Sequence, residues 1–134
     1  MAVQFSVTLR TNKAGQFATT IGASAILKIF SGAEPANCAA ADPSGLLATI
    51  NLPATYMAAA ASGAVSMTGT WSGTASAAGT AASFRIYDST GTTCHMQGSC
   101  SLSGGGGDMI LSNTNLAASQ AFSVTSFTLT EGNA

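Results

Sequence analysis

Residues 84–102 read FRIYDSTGTTCHMQGSCSL. Phe84 and Ile86 fall on one face of an extended chain. Asp88-Ser89-Thr90-Gly91 follows, with Asp first and Gly last, which is good β-turn chemistry. Cys94, Met96, Gly98, Cys100 and Leu102 then continue one face of a returning strand. A period of two on both sides of a turn predicts a β-hairpin.

Working outward toward the N-terminus, AILKIF at 25–30 is an apolar run of strand length. Both of its faces carry large residues, so it is expected to be a central strand or one covered by an interface. GAEPANCAAADPSG at 32–45 reads as a long loop. Leu46, Ala48, Ile50 and Leu52 resume the alternation, and Pro53 stops it. TYMAAAAS at 55–62 predicts two helical turns, with Thr55 before it and Gly63 after. Val65, Met67, Gly69 and Trp71 predict another strand. The low-complexity stretch 72–82 is expected to be a flexible loop or a flat strand of small residues.

Toward the C-terminus, Gly104–Gly107 predict a loose connection into a strand at 109–111. AFSVTSFTLT at 121–130 holds Phe122 and Val124 in one phase and Phe127 and Leu129 in the other. A phase switch inside one strand implies a bulge near Thr125 and Ser126.

The N-terminal segment changes period. Val3, Phe5, Val7 and Leu9 alternate with Gln4, Ser6 and Thr8, which predicts a strand over 3–9. Ala14, Phe17, Ala18 and Ile21 form a helical stripe over 12–21. Thr11 or Asn12 is the expected N-cap and Gly22 the expected end. The whole chain, 1–134, is expected to be one mainly β domain with a strand-helix arm at about 1–22. The expected architecture is an antiparallel β-sandwich or jelly roll of about eight short strands, with one or two short helices.

Composition narrows the function. Ala, Gly, Ser and Thr supply 75 of the 134 residues, whereas Leu, Ile, Val and Phe supply 25. Charged residues are 7% and the formal net charge is −1. So few bulky side chains make a thin core, and so little charge favours association. A homo-oligomer, or a subunit docked on a larger assembly, is the expected state. Four basic residues, Arg10, Lys13, Lys28 and Arg85, are too few for a phosphate-tracking stripe, so no nucleic-acid partner is expected. No apolar run approaches the ~20 residues of a membrane-spanning helix, so no membrane partner is expected either. MAVQFSVTLR lacks a basic start followed by an apolar stretch, which predicts no secretory signal and folding in a cytoplasm.

The reactive side chains are few. His95 is the single histidine. A Ser–His–Asp arrangement would need it with Asp88 or Asp108, yet no G-x-S-x-G elbow is present. A surface or interface histidine is the expected role, and the chain is not expected to be an enzyme. Cys38, Cys94, His95 and Cys100 have the residue types of a Cys₃His zinc site. Cys94 and His95 are adjacent and would project to opposite faces, while Cys94 and Cys100 would lie roughly 20 Å apart along one strand. No metal or other cofactor is therefore expected. The three cysteines are expected to be buried thiols, with a disulfide from Cys38 to either Cys94 or Cys100 left open. The Gly104–Gly107 run lacks a following Lys-Ser or Lys-Thr, so it reads as a loop tip rather than a phosphate cradle. Trp71, Tyr56 and Tyr87 are expected in the core or as contact anchors; a sugar-binding face is the alternative.

ILKIFSGAEPANCAAAD at 26–42, FRIYDSTGTTCHMQG at 84–98, GGGGDMIL at 104–111 and SFTLTEGNA at 126–134 carry a resemblance. It extends to the helical stretch near 11–22 and to the Leu-Pro-x-x-aromatic-Met pattern at 52–57. In these segments the chain resembles a family of small virion structural proteins of tailed double-stranded DNA phages and prophages. The resemblance carries no catalytic residues. It implies a virion component assembled in the host cytoplasm, with a capsid decoration or cement role over junctions of the major capsid protein as the leading expectation. A tail, neck or baseplate component is the alternative within the virion, and a displayed receptor- or glycan-binding module is the alternative of another class. The surfaces expected to make contact are the arm around Phe5, Leu9 and Phe17, the strand from Ile26 to Phe30, and the aromatics Trp71 and Tyr87.

Overall fold

The computed structural model describes residues 3–132. The first two positions of the expected arm and the last two of the chain lie outside them. Within that range the protein is mainly β. One helix, α1 (Val7–Ile21), precedes ten strands: β1 (Ile26–Phe30), β2 (Leu46–Asn51), β3 (Ala64–Ser66), β4 (Ser72–Thr74), β5 (Gly79–Thr80), β6 (Ser83–Tyr87), β7 (Cys94–Ser101), β8 (Met109–Leu111), β9 (Asn115–Leu116) and β10 (Ala121–Thr130).

Eight strands form one curled mixed sheet in the order β2-β1-β6-β7-β8-β10-β3, with β4 also pairing with β10. β5 and β9 form a separate pair. The ends of the large sheet approach each other: a Cβ on Gly73 would come within 2.6 Å of the Ile50 side chain. Just beyond β4, the Ser76 N–H donates to the Leu47 carbonyl at 2.7 Å. The curl encloses a core in which Leu27, Ile29, Leu47, Ile50, Trp71, Phe84, Ile86, Met109 and Phe127 are buried.

The 84–102 hairpin forms as the sequence predicts, with Phe84 opposite Gly98 and Ile86 opposite Met96. The register then shifts, and Tyr87 pairs with Cys94, leaving His95 as the extra residue. A bulge inverts the alternation, so Cys94 leaves the face of Met96, Gly98 and Cys100. The expected single face for Cys94 through Leu102 is therefore wrong at its first residue, and also at its last, because β7 ends at Ser101 and Leu102 is exposed. β2 shows the same effect. Leu47 is skipped between the pairs Ile29–Ala48 and Phe30–Leu46. Leu47 enters the core and Leu46 turns outward, the reverse of the expected phase.

The β10 bulge falls where the phase switch placed it. Val124 pairs with Leu111 and Ser126 with Ile110, with Thr125 extra. β7 and β8 are parallel although only residues 102–108 connect them. Parallel neighbours normally need a longer crossover. Here the glycine run turns the chain through a full circle and returns it beside its own start. Gly104 and Gly106 have φ of 83° and 79°. A Cβ on Gly107 would lie 2.7 Å from the Ser101 nitrogen and 2.8 Å from the Cys100 carbonyl carbon. Gly107→Ala is thus expected to cost about 1–3 kcal/mol through overpacking against backbone, read as a lower urea midpoint.

Three predicted elements differ. The 3–9 segment is not a strand: Ser6 caps α1, its hydroxyl accepting the Leu9 N–H at 3.1 Å, so neither Thr11 nor Asn12 is the cap. The cap satisfies a backbone donor that an isolated strand would leave to water, and it starts the helix five residues early. Gly22 ends it as expected, its N–H donating to the Ala18 carbonyl at 2.9 Å. The 55–62 segment is not helical. Ala61 and Ala64 exchange two backbone hydrogen bonds at 2.9 Å around Ser62 and Gly63, whose φ values are 51° and 77°. Two central residues at positive φ make a tight hairpin turn, which overrides the helix propensity of the alanines. The strand expected over 65–71 stops at Ser66, and Trp71 pairs beyond it through the Val124 N–H, at 2.8 Å.

Candidate functional site

β6 is buried along its whole length. Phe84 and Ile86 face the core; Ser83, Arg85 and Tyr87 face the other way, where residues 31–45 fold over them. Arg85 is only 2% exposed. Its guanidinium makes five hydrogen bonds. Nη1 donates to the Ala40 carbonyl at 3.0 Å and to Asp42 Oδ1 at 2.9 Å. Nη2 donates to the Asn37 carbonyl at 2.9 Å and to Gln97 Oε1 at 3.0 Å, and Nε reaches the same Oε1 at 3.3 Å. Gln97 in turn donates to the Pro35 carbonyl at 2.6 Å. Three carbonyls of a loop without helix or strand of its own are thereby satisfied by two side chains, Arg85 and Gln97, as buried backbone carbonyls require.

Asp42 is the counter-charge. Besides Arg85 it accepts the Tyr87 hydroxyl proton, and Lys28 stands 3.8 Å away with its ammonium over the Tyr87 ring at 4.4 Å. Partial burial works to raise the Asp42 pKa. The Tyr87 and Arg85 hydrogen bonds, with the Lys28 and Arg85 charges, outweigh it and hold the carboxyl below its ordinary value. Burial, then the Asp42 hydrogen bond, push the Tyr87 phenol far upward. All these groups satisfy one another, so the cluster acts as a clasp holding the loop on the sheet.

The other reactive side chains are dispersed. His95 lies exposed in the β7 bulge, beside a groove of about 250 Å³ lined by Lys13, Gln16, Phe17, Thr20, Ile21 and Met96. Asp88 is held within its own turn by the Thr90 hydroxyl at 2.6 Å, and Asp108 by the Ser99 N–H and hydroxyl at 2.9 and 3.0 Å. Neither carboxylate is hydrogen-bonded to His95. Cys100 points to the core side, where burial and then Asp108 push its thiol up to about 12. Among the described residues no three of His, Cys, Asp and Glu gather as a metal site.

The residues expected to make contacts divide in two. Phe30, Trp71 and Tyr87 are buried within the chain itself, at 2%, 1% and 3% exposure, and so is Tyr56. This corrects their assignment to an interface, and it removes the aromatic platform for a sugar. Phe30 and Tyr87 lie on the loop side of the sheet, outside the main core. The second apolar face of β1 is thus covered by the chain's own 31–45 loop. Ile26 is half-buried at the end of β1, and Phe17 is half-buried on α1.

The arm is different. Val3, Phe5, Val7 and Leu9 are 71%, 36%, 54% and 45% exposed, four of the six exposed large apolar residues among those described. Lys13 lies over the Phe5 ring at 4.8 Å and pairs with Glu131 at 3.0 Å. α1 anchors this segment through Ala14 and Ile21 in the core, and through the Gly63 N–H donating to Thr11 Oγ1 at 2.9 Å. Alternating hydrophobicity is present in the sequence here, but its exposure could not be read without knowing that no strand pairs with it. The clasp left even less signal, because Arg85 alternates into the outer face like any surface residue.

No protein-family model, curated protein or solved structure matches the chain.

Proposed function

We propose that this protein is a structural subunit of a tailed-phage virion, a capsid decoration or cement protein that docks through its N-terminal apolar segment. The exposed run from Val3 to Leu9, on an anchored helix and a charge-poor surface, is the observation that carries this reading. Monomeric surfaces tend to scatter exposed apolar residues, whereas here four of them gather in one seven-residue segment. All four basic side chains are engaged within the chain. Lys13 pairs with Glu131, Lys28 and Arg85 pair with Asp42, and Arg10 donates to the Glu131 carbonyl at 3.4 Å. That leaves apolar contact as the main source of affinity. The virion assignment itself rests on the family resemblance of the segments at 26–42, 84–98, 104–111 and 126–134.

The mechanism is mass action. A subunit that binds only the assembled lattice stabilises that lattice, and many repeated weak contacts sum through multivalency. The partners are the major capsid protein and further copies of this chain. Leu9→Asp tests the surface. Leu9 lies in the first turn of α1, which holds no acidic residue, so the carboxylate is favoured by the helix dipole. The fold is expected to keep its stability to within about 0.5 kcal/mol. Binding to particles stripped of the native subunit is expected to fall about tenfold or more, the equivalent of one lost anchor of roughly 1.4 kcal/mol. Equal binding by the variant would remove the arm as the docking surface. Particles lacking the protein are expected to rupture sooner on heating or osmotic shock; equal survival rejects the cement role, and a label found on tails moves the subunit there.

A further inference from the structure

The 31–45 loop carries Cys38 onto the outer face of the sheet and fixes it there. Arg85 binds the carbonyls of Asn37 and Ala40, which flank Cys38, at 2.9 and 3.0 Å. The Asn37 side-chain oxygen tightens the same turn by accepting the Ala39 and Ala40 N–H groups at 2.9 and 3.0 Å. On the sheet below, Cys94 is the ladder partner of Tyr87, two residues along β6 from Arg85. The His95 bulge is what turns Cys94 toward the loop. The Cys38 and Cys94 side chains lie close enough to influence each other electrostatically, and the Cys94 thiol donates to the Met96 carbonyl at 3.4 Å. Both cysteines are free and half-buried. Cys100 faces the core, on the opposite side of β7.

We propose that Cys38 and Cys94 form a modification site, a dithiol that closes to an intramolecular disulfide by exchange with a small disulfide of the oxidised-glutathione class and staples the 31–45 loop to β7. Cys38, on the loop, attacks one sulfur of the small disulfide as its thiolate. That S–S bond breaks, and one small thiol leaves carrying the proton that Cys38 released. The Cys94 thiolate then attacks the Cys38 sulfur, forming the protein disulfide and expelling the second small thiol, which takes the Cys94 proton. Two protein thiols are oxidised and one small disulfide is reduced to two thiols. Burial, then the neighbouring Cys38 side chain, push the Cys94 thiol up to about 11, so closure quickens as pH rises toward that value. The site stays open in a reducing compartment and closes outside it.

The test is incubation of the reduced full-length chain across a series of oxidised-to-reduced glutathione ratios, followed by alkylation and peptide mass mapping. The expected product is a monomer lighter by two hydrogens, with one peptide pair joined through Cys38 and Cys94 and Cys100 alkylated. Its thermal midpoint is expected to rise by roughly 5–15 °C, because the cross-link closes a long loop in the unfolded chain. Cys38→Ser and Cys94→Ser should each abolish the shift, and Cys100→Ser should leave it intact. A cross-link that includes Cys100, a disulfide-linked dimer on a non-reducing gel, or a stable glutathione adduct without ring closure would each overturn the proposal.

Discussion

Trp71→Ala is expected to lower the unfolding free energy by about 3–5 kcal/mol, the range for deleting a large aromatic from a core. Whole domains of this kind are stable by only about 5–15 kcal/mol, so the variant is expected to be partly unfolded at body temperature. Trp71 is the centre of a chain of rings. Its ring lies 6.2 Å from that of Tyr56 and 5.7 Å from that of Phe127, and Phe127 meets Phe84 edge-on at 5.4 Å. These four residues come from the segment before β3, the segment before β4, β10 and β6. One side chain therefore ties together parts of the sheet that are far apart in sequence. With so few large residues available, no neighbour can expand to fill the gap. Trp71→Phe should cost less, since it keeps most of the ring contact and loses chiefly the indole hydrogen bond to the Thr68 carbonyl at 3.1 Å. Urea titrations of both variants give the comparison. A loss under about 1 kcal/mol for the alanine variant would mean that the sheet closes without the aromatic chain.

Arg85→Ala is the second large effect, with an expected loss of about 3–5 kcal/mol. The substitution frees the Asn37 and Ala40 carbonyls, strands Gln97 and removes the charge opposite Asp42. Opening of the 31–45 loop should accompany the loss, visible as hydrogen exchange at the Ala39 and Ala40 amides. Arg85→Lys is not expected to rescue it, because one ammonium cannot reproduce five bonds in a planar fork. Asp42→Asn should cost less, on the order of 2 kcal/mol, since the Asp42 side chain is 42% exposed and solvent screens part of the pair.

The same pair sets a pH dependence. Asp42 is held below its ordinary value in the folded chain. Its contribution is therefore complete above the aspartate pKa of the unfolded chain, about 3.9, and is lost as pH falls through the folded value. The gap in stability between the wild-type chain and Asp42→Asn should stay constant from neutral pH to about 5 and shrink below about 4. A gap that is unchanged at acid pH would show that the carboxylate charge plays no part in the clasp.

The amino-acid order alone determines most of the strand inventory. Lys28 between Leu27 and Ile29, and Arg85 between Phe84 and Ile86, keep strict alternation, and β1 and β6 form there. The Asp88–Gly91 turn places the hairpin, and the switch from Val124 to Phe127 locates the β10 bulge. These features are local: two-residue periodicity and turn chemistry need no partner to be read. The tertiary structure decided the rest. Two bulges, at Leu47 and His95, inverted the phase of their strands, and a bulge is set by the register with the neighbouring strand. Ser6 rather than pairing took the arm into a helix. Burial of Trp71 and Tyr87, the covering of β6 by residues 31–45, and the meeting of Cys38 with Cys94 all follow from how the sheet curls. They depend on contacts between residues distant in the chain, which no local pattern encodes.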